Sequence, residues 1–83
     1  MSIQLITRVY VYLDDAAEYT LEYYLESGTY SRIRDILYKD GTILSESTKT
    51  LSNTCSSPQK VIHYLARNFV FPVHLSDIVD DVL

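Results

Sequence analysis

The sequence is short of the residues from which most specialised sites are built. Of its 83 residues only Cys55 is a cysteine, so neither an intramolecular disulfide nor a multi-thiolate zinc site can form. Small secreted domains usually depend on several bridges, which this chain does not have. Gly28 and Gly41 are the only glycines, too few for a phosphate-cradling loop. Two prolines and no repeat or low-complexity stretch leave no linker and no solenoid. Basic residues are scarce, 7 against 11 acidic ones, and the formal charge is −4. General affinity for nucleic acid, which comes from lysine and arginine displacing counterions, is therefore not expected. No apolar run approaches the roughly 18 residues of a membrane span. Met1-Ser2-Ile3-Gln4 lacks the basic stretch and apolar run of a signal peptide, so the expected location is the cytoplasm.

Catalytic chemistry is equally thin. His63 and His74 belong to no HExxH, Cys-His or Gly-Lys-Ser/Thr pattern. Nothing in the spacing supports His63 with Asp77 or Cys55 as a nucleophile pair. Paired carboxylates need a cleft that sets their pKa values apart, and a chain this short has little room for one. The expectation is no enzyme, no metal and no cofactor.

What is present suits a small globule. Hydrophobic residues make up 47% of the chain, too many for disorder. Residues 1–83 read as a single domain, burying about 60–65% of its unfolded surface. Residues 3–13 alternate, with Ile3, Leu5, Val9, Val11 and Leu13 on one side, and read as a strand. Residues 14–28 admit two readings. A helix over 15–27 would start at an Asp15/Glu18 capping box and stop at Gly28. A strand would align Tyr19, Leu21, Tyr23 and Leu25. The strand is preferred, because the segment leads into a hairpin over 30–50 marked by Asp40-Gly41. The second arm of that hairpin ends polar on both faces, at Ser45 to Thr50, which suits an edge. After a loop at 52–57, Ser57 caps and Pro58 opens a helix. Its apolar stripe is Val61, Ile62, Leu65, Ala66 and Phe69, and Pro72 ends it. Ser76 starts a last short helix with Asp77 in its first turn and Leu83 as its apolar end. Four strands and then two helices predict an α+β fold: an antiparallel β-meander with two C-terminal helices packed on one face.

The other face of such a sheet is wet, and alternation predicts what it carries. Leu5, Val9, Val11, Leu21, Leu25, Ile33 and Leu37 should meet the helices. Ile6, Arg8, Tyr10, Tyr12, Glu22, Tyr24, Arg32, Arg34, Ile36 and Tyr38 should face water. Tyrosine and arginine are the residues most enriched at binding hot spots. Eight tyrosines against two phenylalanines point the same way, since a buried ring needs no hydroxyl. Arg8, Tyr10, Tyr12, Tyr24, Arg32, Arg34 and Tyr38 are accordingly the expected protein-binding residues. Exposed cross-strand tyrosines also stabilise a sheet with no partner at all. A second candidate contact is acidic: Asp14 and Asp15 in the first turn, and Asp77, Asp80 and Asp81 on the last helix, with Glu18, Glu22, Glu26 and Glu46 scattered. These would face a basic partner, or simply solvate the surface.

Three functions use these features. The leading expectation is a non-catalytic module that binds a protein partner. The second is an accessory subunit or homodimer pairing through the 42–50 edge or the open face. The third is a single-stranded RNA reader that stacks bases on exposed aromatics, which the acidic charge and the element order both disfavour. In size, charge and element order the chain resembles small phage-encoded inhibitors, including some anti-CRISPR proteins. The likeness rests on a meander around Tyr38-Lys39-Asp40-Gly41-Thr42 followed by the Ser57-Pro58 helix. It implies a protein that binds a basic nucleic-acid-handling complex and occludes it without catalysis. No motif is shared, so no residue role carries over.

Overall fold

Asp40 and Gly41 both hold positive φ, 51° and 83°, the pair of left-handed residues that a type I′ turn needs. This turn closes the hairpin of β3 (Arg32–Lys39) and β4 (Thr42–Thr50). Ahead of it lie β1 (Ser2–Val11) and β2 (Tyr19–Ser27); after it come α1 (Pro58–Arg67), a 3-10 turn at Pro72–His74, and α2 (Leu75–Val82). This computed structural model describes every residue except Met1, Asn53, Thr54 and Leu83. The apolar end expected of Leu83 and the middle of the 52–57 loop therefore lie outside the described residues.

The four strands form an open antiparallel sheet in the order β1-β2-β3-β4. The 14–28 stretch holds a strand, β2, over Tyr19–Ser27 and no helix. Asp15 makes a turn there: its carboxylate accepts from the Ala17 amide at 3.2 Å and the Tyr19 hydroxyl at 2.7 Å. Asp40 ties that turn to the hairpin. Its amide donates to the Glu18 carbonyl at 2.7 Å, and its carboxylate accepts from the Glu18 amide at 2.8 Å.

Both helices lie on one face, α1 across β1 and β2, and the 3-10 turn and α2 across β4. Leu21, Tyr23, Ile33 and Leu37 meet Ile62, Leu65, Leu75 and Val79 there in a single core. The shortest extent of the molecule, 17 Å, fits one sheet and one layer of helices. Lys49 straps α2 to the edge strand, 2.9 Å from Asp80 and 3.3 Å from the Ser76 hydroxyl.

The structure corrects the sequence reading at four points. First, β1 ends at Val11, not Leu13, and its register slips between Leu5 and Thr7. Ile6 is the extra residue of a bulge, so the two halves of β1 present opposite parities. Leu5, expected under the helices, sits opposite Tyr24 on the open face; Ile6, expected in water, packs against the core. Second, α1 stops at Arg67, well before Pro72. The Phe69 amide donates to the Ala66 carbonyl and the Val70 amide to the Leu65 carbonyl, which makes a Schellman turn with Phe69 at the left-handed position. Phe69 thereby leaves the apolar stripe, and Val70 takes the buried place. Third, Ser57 stands at the cap position but its side chain makes no capping hydrogen bond; Pro58 is at N1 as expected. Fourth, α2 begins at Leu75, after the 3-10 turn, so Ser76 is already inside it.

Candidate protein interface on the open sheet face

The register places Arg8, Tyr10, Tyr24, Arg32, Arg34 and Tyr38 together on the face away from the helices, in rows across the strands. One row runs Arg8–Glu22–Ile36–Glu46, and the next outward runs Tyr10–Thr20–Tyr38–Ile43. Tyr12 lies just past β1 and is 91% exposed. The bulge adds Ile3 and Leu5 to this face, opposite Glu26 and Tyr24.

Most of these groups bind one another. Arg8 Nε donates to Glu22 Oε2 at 2.8 Å, and the Tyr24 hydroxyl donates to Glu22 Oε1 at 2.7 Å. Arg34 Nε donates to Glu26 Oε2 at 2.6 Å while its Nη1 reaches Glu46 at 3.4 Å. Arg32 lies 3.8 Å from the other Glu26 oxygen. Glu22 and Glu26 are buried beneath these side chains. Burial alone would raise the Glu22 pKa, but hydrogen bonds from Tyr24, Arg8 and Tyr38 outweigh it and hold the carboxylate below its ordinary range. The same bond to Glu22 pushes the Tyr24 hydroxyl up to about 12. Glu22, Glu26 and Glu46 are therefore gathered, and of the four glutamates Glu18 alone lies apart. Alternation carried the signal, since Glu26 shares the parity of Glu22 and Tyr24. Three arginines answered by three glutamates make this central ladder electrically balanced.

Tyrosine burial also departs from expectation. Tyr23 is fully buried on the helix side and uses its hydroxyl, which donates to the Val70 carbonyl at 2.8 Å. Tyr19 is buried on the same side, beyond Leu21, and bonded to Asp15. Tyrosine count alone thus overstates the exposed aromatic surface.

The chain belongs to DUF6514, a family of unknown function. The match runs over residues 2–83. No curated protein and no solved structure matches the chain.

In this DUF6514 chain the ladder leaves one end of the open face uncommitted. Thr20 is short and stands between Tyr10 and Tyr38, which flank it about one strand spacing, roughly 5 Å, on either side. The result is a shallow hollow of about 360 Å³ reaching Arg8, Glu22 and Gly41. Tyr10, Leu13, Ile43 and Leu44 around this end are each about half exposed or more.

The acidic candidates divide. Asp14 and Asp15 occupy the β1–β2 connection at this end, beside Glu18 and Asp40. Asp77, Asp80 and Asp81 lie on α2, where Asp80 is engaged by Lys49. The two sets belong to different parts of the fold and do not form one row. Among the described residues, no cluster of three or more His, Cys, Asp or Glu is arranged to hold a metal ion. Among them, too, no helix is long and apolar enough to cross a membrane.

Proposed function

We propose that this chain is a non-catalytic protein-interaction module that binds its partner through the turn end of its open sheet face. The observation that carries this reading is the split on that face. Arg8, Arg32, Arg34 and Tyr24 are spent on glutamates of the same sheet, whereas Tyr10, Tyr12 and Ile43 are each half exposed or more. Rigid, amphipathic tyrosines on a strand lose little entropy when covered, which suits them as anchors. The pairing of all three arginines of this face weighs against base stacking there, because a reader of single strands needs free cations. The likeness in size, charge and element order to small phage-encoded inhibitors extends the reading to a partner that handles nucleic acid, whose guide, target or nuclease surface the chain would occlude.

The test is affinity capture from the cells in which the chain is made. Wild-type chain should retain a specific protein, and Tyr10→Ala or Ile43→Ala should weaken that complex by about 1–3 kcal/mol, roughly 5- to 150-fold, with the melting curve of the domain unchanged. Equal retention by both variants, together with loss on substituting exposed Tyr64 of α1, would transfer the contact to the helical side.

A further inference from the structure

The charges of this protein are distributed unevenly once each is assigned to its place. On the open-face ladder, Arg8, Arg32 and Arg34 balance Glu22, Glu26 and Glu46. On the helical side, Lys49, Lys60 and Arg67 match Asp77, Asp80 and Asp81 in number. Asp35 is buried in the core, where loss of solvent pushes its pKa up to about 8, so it is largely protonated and uncharged at neutral pH. What remains is Asp14, Asp15, Glu18 and Asp40 against Lys39 alone, all exposed and all at the turn end. The surface's acidic excess therefore sits around the same end that exposes Tyr10, Tyr12, Leu13, Ile43 and Leu44.

These two features coincide through the backbone. The Asp40–Glu18 amide and carboxylate bonds hold the hairpin turn against the end of the β1–β2 connection, so the acidic segment and the aromatic hollow stay at the same end of the sheet. An apolar surface rimmed by charge of one sign is complementary to an apolar side chain rimmed by the other. Resting on the protein-binding reading above, we propose that the turn end receives a polypeptide segment in which one or two large apolar side chains are flanked by lysine or arginine. The apolar group enters between Tyr10 and Tyr38 over Thr20, and the basic flanks lie against Asp14 and Glu18. The carboxylates choose partners and speed their approach; the tyrosines supply the contact.

The probes are synthetic twelve-residue peptides added to isotope-labelled full-length chain and followed by amide shifts. One carries Leu and Phe between lysines and arginines, one has the basic residues replaced by glutamate, and one keeps the basic residues but lacks Leu and Phe. The first should shift the amides of Tyr10, Thr20, Tyr38 and Ile43, and bind at least about fivefold tighter than the other two, with the margin over the glutamate peptide narrowing as salt screens it. Asp14→Asn with Glu18→Gln, whose side chains make no bond the turn depends on, should erase most of that margin while the chain stays folded. Equal binding of the three peptides, shifts centred on the helices, or no shift would overturn the proposal. So would shifts at these residues produced by a single-stranded oligonucleotide, or by raising the concentration of the chain alone, which would assign the surface to nucleic acid or to a second copy. If the peptides fail while Tyr10→Ala still releases the captured partner, the interface stands and only the chemistry assigned to its occupant falls.

Discussion

Replacing Asp35 by leucine is expected to stabilise the domain by several kcal/mol more at pH 8 than at pH 4. Asp35 lies mid-strand in β3 on the helix side, between Tyr23 of β2 and Ser47 of β4, and is 0% exposed. Neither carboxyl oxygen has a hydrogen-bond partner among the described residues. The nearby cation on this side of β4, Lys49, is committed to Asp80 and Ser76. A charge buried without a partner is costly, so the folded state keeps the proton until about pH 8, against 3.8 for an ordinary aspartate. Between those values the unfolded chain has released a proton that the folded chain still holds. Stability must then fall as pH rises, by about 1.4 kcal/mol per unit, or on the order of 4 kcal/mol by pH 7. Above pH 8 this contribution is flat. Leucine has the branching of aspartate without the charge, so Asp35→Leu should remove both the slope and the cost of an unpaired polar group; Asp35→Asn should remove the slope but keep an unpaired polar group in the core. Urea unfolding at pH 5 and pH 8 measures both. A wild-type stability that does not change over that interval would refute the account of this residue. At the acid end the sign reverses. Glu22 and Asp15 are held below their ordinary values, so what they contribute is present at neutral pH and lost as pH falls below about 4. The domain should be most stable near pH 4.

Tyr23→Phe should cost about 1–3 kcal/mol, although it removes only one oxygen. That hydroxyl donates to the Val70 carbonyl at 2.8 Å, just after the Schellman turn that ends α1. It is thus a polar tie between the centre of the sheet and the point where the chain turns back over it. Phenylalanine leaves the Val70 carbonyl under the same core with no donor to replace the lost one. The phenol is also kept protonated, first by burial and then by Asp35 across the strand, so the tie should persist to high pH. Unfolding of the variant at pH 5, where Asp35 is neutral in the folded state, isolates the bond. A loss below about 0.5 kcal/mol would show that this carbonyl finds water or another donor instead.

Much of the fold was legible because local and global signals agree. Asp40-Gly41 named the turn, alternation named the strands, and the stripe from Val61 to Ala66 named the helix. The departures come from features with no marker in the residue types. The bulge at Ile6 inserts a β-branched residue into a run that alternates well on either side of it. The end of α1 was misplaced because its left-handed residue is Phe69, where glycine is the usual sign. Tyr23 and Asp35 shared a face with Leu21, Ile33 and Leu37 by parity, so their burial was readable. On the open face the arginines and tyrosines were placed by alternation, whereas their partners were not, since pairing depends on which residue lies across the strand. Only the register shows that Glu22 and Glu26 occupy the arginines and leave the surface to Tyr10, Tyr12 and Ile43.

The central claim is that a partner covers the turn end of the open sheet face. Photo-cross-linking tests it most directly: a benzophenone amino acid placed at position 12 or 43, and at positions 63 and 67 of α1 for comparison, irradiated in cells that make the chain. Positions 12 and 43 should both capture one and the same protein, and 63 and 67 should not. Capture from the α1 positions alone, or no shared product from 12 and 43, would contradict the claim.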